Sequence, residues 1–320
     1  MAIRIYRELE KVAPDPRSVV TVGTFDGLHR GHQAIIQKLK QEAQKGGRHT
    51  TVVTFEPHPQ LVLQRPDKPP VHILTTVEEK IALLREANLD RLVVIPFTLE
   101  FSRTSSEDFV RDILVRRIGM QAIVIGHDHG FGKNREGDIE TLRKMGQALG
   151  FEVREVPPFE IDGVVISSTR VRQALAHGEV ELAAYYLGRP YSLSGTVVRG
   201  EGRGQKLGFP TANLFPTHDS KLVPAEGVYA VWVERATSPR DVPSPQKHRG
   251  MMNIGYRPTF GNSVRVLETH LFDFSGELYG ERLTVHFVAR LRNEQKFDSA
   301  HELMAQLHRD RAASLQVLIA

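Results

Sequence analysis

The stretch Val19-Val20-Thr21-Val22-Gly23-Thr24-Phe25-Asp26-Gly27-Leu28-His29-Arg30-Gly31-His32 decides the fold. Its first four residues are mostly β-branched and read as a buried strand. A glycine-containing turn follows, and an apolar-periodic helix opens at about Gly31, with Ile35, Ile36 and Leu39 on one face. His29 and His32 stand at this strand-to-helix turn. If the helix begins there, residues three apart share a face and both imidazoles can point at one ligand. The unpaired N–H groups of a helix start, and the positive end of its dipole, make a seat for phosphate beside them. Two imidazoles among such amides suit charge that grows on an α-phosphate while pyrophosphate leaves, a reaction carried by positioning and electrostatics. The alternative is a pair of ordinary surface histidines on a turn.

Working outward, strand-like and helix-like segments alternate. Thr50–Phe55 reads as a strand; Thr76-Val77-Glu78-Glu79 is a capping box that starts a helix through Val77, Ile81 and Leu84. Leu92–Pro96 is the next strand, and Ser105 or Ser106 caps a helix carrying Phe109, Val110, Ile113 and Leu114. Ala122–Ile125 is a strand, residues near 138–149 form a helix, and Phe151–Val156 forms another strand. This alternation predicts a parallel, doubly wound sheet with helices on both faces, whose ligands bind beyond the carboxyl ends of the strands.

The unusual residues fall at those ends. Phe55-Glu56-Pro57-His58-Pro59 is a strand exit stiffened by two prolines, and no chemistry is assigned to His58. Gly126–Asp138 is rich in glycine and charge, with Lys133 and Arg135 suited to phosphate, yet it holds no G-x-x-x-x-G-K-[ST]. A metal site on His127, Asp128 and His129 is disfavoured, because alternation along an extended segment throws neighbours to opposite sides. Val165-Ile166-Ser167-Ser168-Thr169-Arg170-Val171-Arg172 places hydroxyls at a helix start before two arginines, either as plain N-caps or as donors to a triphosphate.

The pattern changes at Gly188-Arg189-Pro190, which divides the chain into expected domains 1–187 and 188–320. Beyond it, Ser194–Val198, Val228–Val233, Val264–Phe274 and Leu283–Ala289 are strand-like with turn signals at short intervals. They predict a small antiparallel barrel or sandwich, with a C-terminal helix over 298–317 packed on it. Residues 236–248 read as an exposed, proline-rich loop. Gly195–Leu214 holds five glycines next to basic residues, the last of them opening Gly208-Phe209-Pro210-Thr211-Ala212-Asn213. Alternation puts Val266, Glu268, His270 and Phe272 on one side of a strand, where Glu268 is either structurally paired or poised as a base.

Composition sets outer bounds. At 320 residues, 40% hydrophobic and 25% charged, the chain has room for two globular cores. It contains no cysteine, which excludes disulfides, thiolate zinc and thiol nucleophiles. The opening Met1–Glu8 has no apolar h-region, and no long uncharged apolar run follows, so a cytoplasmic protein without a membrane partner is expected. The net charge of +4 and pI near 9.3 suit a binder of nucleotide phosphates. The basic residues are dispersed, so a nucleic-acid partner is not expected.

These motifs resemble a known family. G-T-F-D-G-x-H-x-G-H resembles the nucleotidyltransferase signature, and Phe25-Asp26-Gly27 resembles its FMN adenylyltransferase branch. The loop from Gly126 is similar to G-x-D-F-x-F-G, with His129 in place of the first aromatic residue, and residues 166–172 fit I-S-S-T-x-[IV]-R. Gly208–Asn213, Asn253–Phe260, Glu268–Phe274 and Glu277-Leu278-Tyr279-Gly280 resemble riboflavin kinase. The chain is identified as a member of the bifunctional prokaryotic riboflavin kinase/FAD synthetase family. That resemblance implies an α/β Rossmann-like nucleotidyltransferase domain, then a β-barrel kinase domain with a C-terminal helix.

It also implies two reactions: riboflavin phosphorylation by ATP to FMN, and FMN adenylylation by ATP to FAD with release of pyrophosphate. His29, His32 and Glu268 would be catalytic, Glu268 as the general base. Gly23, Thr24, Phe25, Asp128, Ser168, Thr169, Arg172, Gly202, Lys206, Gly208, Thr211 and Asn213 would bind nucleotide. Thr211 and Asn213 would also hold Mg²⁺, whose preference is for hard oxygen ligands. Phe131, Tyr229 and Arg292 would contact flavin. Class I aminoacyl-tRNA synthetases share an H-I-G-H-type signature, but their lysine-rich loop is missing here. Two other readings stay open: a nucleotidyltransferase for another phosphate acceptor, and a nucleic-acid-binding barrel that would bind RNA with steep salt dependence.

Overall fold

Ser18–Val22, the strand that leads into the two histidines, is buried along its whole length at the centre of a parallel sheet. The computed structural model describes residues 3–64, 69–127, 130–133, 136–200, 204, 208–236, 247–259 and 262–319. By packing, the chain divides into two units, Met1–Ser168 and Thr169–Ala320.

The first unit runs β1 (Arg4–Tyr6), β2 (Ser18–Val22), α1 (Arg30–Lys45), β3 (His49–Glu56), α2 (Pro59–Val62), α3 (Val77–Glu86), β4 (Arg91–Pro96) and α4 (Ser106–Asp108). α4 is a single turn that continues as a π-helix, Phe109–Ile118; then come β5 (Met120–Gly126), α5 (Ile139–Leu149), β6 (Glu152–Val156) and a short hairpin of β7 (Glu160–Ile161) and β8 (Val164–Val165). The sheet order is β1-β4-β3-β2-β5-β6, every pair parallel. Strand alternation explains its two apolar layers. Val20 and Ile123 face a layer with Phe109 and Leu142, while Val19 and Val52 face Leu39 and Leu84 on the other side. The expected strands and helices of this half are present within a few residues of the expected bounds. Both halves of the Thr76/Glu79 capping box form, and Ser105, not Ser106, caps the helix before Phe109. The π-helical pitch of that segment, closed by Gly119 at φ 84°, lies beyond what apolar spacing shows.

The second unit opens with α6 (Ser168–Ala176) and α7 (Val180–Leu187). Six strands follow: β9 (Tyr191–Val198), β10 (Ala212–Pro216), β11 (Gly227–Ala236), β12 (Lys247–Thr259), β13 (Asn262–Leu271) and β14 (Arg282–Arg292). They close in the order β10-β13-β12-β11-β14-β9, with β9 pairing both β10 and β14, so the choice between barrel and sandwich falls to a barrel. α8 (Ala300–Val317) packs on it. β12 was not among the clear strand patterns, because Gly250, Gly255 and Pro258 dilute its alternation. The proline-rich connection 237–246 lies outside the described residues.

The division between units comes earlier than the expected break at 187/188. α6 and α7 are tied to the barrel: Arg290 donates its N–H to Glu181 Oε1 at 3.1 Å and its guanidinium to the His177 carbonyl at 3.0 Å. The Ala225 N–H likewise donates to the Leu175 carbonyl. Local sequence marks where helix gives way to strand, not which neighbour a helix docks on. Among the described residues no helix is long and apolar enough to cross a membrane.

Candidate active sites

The strand order reverses at β2: the chain passes from β2 to β3 on one side and returns to β5 on the other. The crevice beyond the carboxyl ends there is the place where such sheets bind ligands. Gly23–Leu28 leave β2 at that point. Phe25 (φ 48°) and Leu28 (φ 40°) both occupy the left-handed region, an unfavourable conformation for residues with side chains. The turn therefore has to be held by its surroundings.

It presents the histidine pair. His29 is the N-cap of α1, its Nδ1 accepting the His32 backbone N–H at 3.4 Å, which leaves the ring proton on Nε2. The two imidazoles stack with centroids 3.7 Å apart and planes 20° apart, and the Phe25 ring meets His32 edge-on at 5.2 Å. Burial, then the neighbouring His29 and Lys80, hold His32 well below the usual imidazole range, so at neutral pH it is uncharged. A Cβ on Gly31 would lie 3.1 Å from the His29 ring and 3.4 Å from the Ile166 carbonyl. The glycine between the histidines thus lets ring and chain approach.

Three sets of hydrogen bonds fix this turn. The buried Asp26 carboxylate accepts the N–H groups of Leu74 and Thr75 at 2.9 Å, and the Gly27 N–H donates to Thr75 Oγ1 at 3.0 Å. Ser168 Oγ, also of the first unit, donates to the Asp26 carbonyl at 2.8 Å. Thr54 Oγ1 donates to the Thr24 carbonyl and accepts from Lys80 Nζ, both at 3.2 Å. Lys80 escaped sequence reasoning, although a lysine within the apolar stripe Val77–Ile81–Leu84 was the available signal. A second omission is the ring cluster Phe55, Phe97, Phe101 and Phe109 at the ends of β3 and β4, with centroids 5.8–6.4 Å apart.

The other expected residues of this half are placed unevenly. Gly23 and Thr24 lie in the turn itself. Thr169 and Arg172 follow Ser168 on α6, within the second unit. Phe131 is buried beside Phe109, and its backbone pairs with Gly137. Asp128 lies outside the described residues, as do His129, Gly202 and Lys206.

In the barrel, strand register does the assembling. Glu268 of β13 pairs with Asn213 of β10 on one side and Asn253 of β12 on the other, so the carboxylate stands between two amides on one face. All three are part-buried. Gly200 and Gly204 touch this face. A Cβ on Gly200 would fall 2.1 Å from the Asn213 amide, and one on Gly204 would fall 3.4 Å from Thr211 Oγ1. Only glycine brings backbone so close. Gly208 has φ 75°, the turn that precedes Phe209-Pro210-Thr211. His270 Nδ1 donates to the Pro210 carbonyl at 2.7 Å, clamping that turn to β13.

Two of the expected flavin contacts have defined partners within the barrel unit. Tyr229 is fully buried inside the barrel, its hydroxyl donating to the Ala225 carbonyl at 2.6 Å and its ring edge-on to Phe287. It sits on the strand face opposite Ala230, which packs toward α8. Arg292 makes a two-pronged pair with the buried Asp310 of α8 at 2.8–3.1 Å, pinning that helix to β14. Motif resemblance found the positions but not these partners.

Residues 11–170 match the FAD synthetase family and residues 187–318 the riboflavin kinase family. Relatives include the bifunctional riboflavin kinase/FMN adenylyltransferases of Escherichia coli K12, 41% identical over 93% of this chain and 92% of that protein, and of Pseudomonas fluorescens, 38% identical over 98% and 97%. A solved structure described as the macrolide-efflux protein of Streptococcus pneumoniae superposes with a TM-score of 0.85 at 31% identity, covering 98% of this chain and 99% of that one. The chain belongs to the bifunctional riboflavin kinase/FMN adenylyltransferase family, with its FAD synthetase domain first and its riboflavin kinase domain second.

Proposed function

We propose that each activity of the family is carried by its own cluster: His29, His32 and Ser168 for adenylyl transfer, Glu268, Asn213 and Thr211 for phosphoryl transfer. The observation that carries this reading is the register that sets Glu268 between Asn213 and Asn253, together with the stacked histidines at the reversal of the parallel sheet.

In the barrel, the Glu268 carboxylate accepts the proton of the riboflavin 5′-hydroxyl as its oxygen attacks the γ-phosphorus of ATP and ADP leaves. In the parallel-sheet domain, the FMN phosphate attacks the α-phosphorus of a second ATP and pyrophosphate departs. His29 Nε2–H donates to the α-phosphate as charge accumulates, and the N–H groups at the start of α1 assist. The ring cluster around Phe55 and Phe101 offers an apolar bed for the flavin ring.

The barrel face also fits Mg²⁺. The Thr211 hydroxyl and Asn213 amide are hard oxygen donors, beside the backbone of Gly200 and Gly204. Such an ion would neutralise charge on the transferring phosphates. Thr211 and Asn213 orient that end of ATP, and Gly200 and Gly204 admit it.

The test is to incubate the protein with riboflavin and Mg·ATP and separate the flavins by chromatography. FMN followed by FAD supports both assignments. FAD only from supplied FMN removes the kinase assignment, and pyrophosphate release with no new flavin points to another acceptor.

A further inference from the structure

Lys80 stands 3% exposed on α3, a cation in the apolar layer behind the histidine turn. Burying a lysine is costly, and here burial does push its ammonium below the usual range, opposed by the carboxylates of Asp26 and Glu56. Those two carboxylates come from different elements, the signature turn and the end of β3. Nζ donates to Thr54 Oγ1, and Thr54 passes the contact to the Thr24 carbonyl. One rigid helix therefore reaches the turn twice: through Lys80, and through Leu74 and Thr75 just before its cap, which hold Asp26. The turn so held is the one that keeps Phe25 and Leu28 in the left-handed region.

We propose that Lys80 is a positioning residue for adenylyl transfer: through Thr54 it fixes the turn that aims His29 and His32, and its charge stands behind the imidazole pair. This rests on the reading of those histidines as the adenylyl-transfer site. Lys80 touches no reacting atom. Its effect passes through backbone geometry and through the field at His32, which faces His29 from α1 and Lys80 from α3, with Phe25 edge-on. Glu56 and Asp26 are the counter-charges that keep the ammonium in place. A misplacement of about 1 Å is enough to cost about 100-fold in rate.

The test uses the full chain with Lys80→Met and Thr54→Val, measuring FMN adenylylation as FAD and pyrophosphate, and riboflavin phosphorylation in the same preparations. Lys80→Met is expected to lower the adenylylation kcat by about 10- to 100-fold, with KM for ATP and FMN changed less than about threefold and FMN formation unaltered. His32, followed by ¹⁵N NMR, should protonate at higher pH in that variant, because the neighbouring cation is gone, and should keep its parent value in Thr54→Val, which loosens the same turn but leaves the cation in place. An adenylylation kcat within about twofold of the parent overturns the proposal. If Lys80→Met melts the parallel-sheet domain, Thr54→Val decides: a kcat loss of about threefold or more supports the proposal, and an unchanged kcat ends it. His29→Ala run alongside separates the two claims. If that variant still makes FAD at the parent rate, the histidine reading fails; if it does not and Lys80→Met keeps the parent kcat, only the role of Lys80 fails.

Discussion

Ser168 Oγ donates to the Asp26 carbonyl at 2.8 Å, joining two motifs 142 positions apart. With its proton directed at that carbonyl, the hydroxyl secures the turn that carries His29. Ser168→Ala should lower FMN adenylylation about tenfold, as expected for loss of one bond of about 1 kcal/mol at a site sensitive to position. Riboflavin phosphorylation should be unchanged. Steady-state assays of both reactions on one preparation check this.

The two clusters predict a clean separation of activities. His29→Ala should reduce FAD formation by about 100-fold or more and leave FMN formation intact. Glu268→Gln should do the reverse, stopping FMN formation while supplied FMN is still converted to FAD. Chromatography of flavins after each incubation reads both. Joint loss in either variant would count against separate sites.

Gly31→Ala isolates a steric requirement. The helix itself gains from alanine, by about 1 kcal/mol. The new methyl group, however, would sit 3.1 Å from the His29 ring and 3.4 Å from the Ile166 carbonyl. Adenylylation should fall about 10-fold or more while the melting temperature holds or rises, a split that calorimetry and kinetics together resolve.

Asp26 serves stability. Asp26→Ala leaves the buried N–H groups of Leu74 and Thr75 without their acceptor, at a cost of about 1–3 kcal/mol for each group so exposed to loss. It also strips Lys80 of one counter-charge. Denaturant unfolding should show the parallel-sheet domain destabilised by a few kcal/mol, with the barrel transition in place.

Acid stability depends on Glu42. The Lys38 ammonium at 2.8 Å, against the opposing effect of burial and with help from Lys45 and Arg154, draws its carboxyl from the usual 4.5 down to about 2. A carboxyl depressed on folding stabilises the native state above its unfolded value, and that stability fades as pH falls from 4.5 toward 2. Glu42→Gln should therefore flatten the loss of stability across that window, measured by melting temperature against pH.

Much of this was legible in sequence because its cause is local. Val19–Val22 had to be a buried strand, His29 had to fall at a helix start, and Thr76 with Glu79 had to cap α3, since each follows from side-chain periodicity and cap chemistry within a few residues. The alternation of strands and helices likewise determined a parallel sheet, and Gly208–Asn213 marked the kinase loop. Tertiary structure decided what long-range pairing controls. Closure of β9 onto β14 made a barrel of strands that were equally suited to a sandwich. Register, which is set by neighbours and not by the strand itself, placed Glu268 between Asn213 and Asn253. Packing sent Tyr229 into the core and Arg292 to Asp310, and it brought Lys80 under the histidine turn, because burial of a charge is decided by the partners that surround it in space.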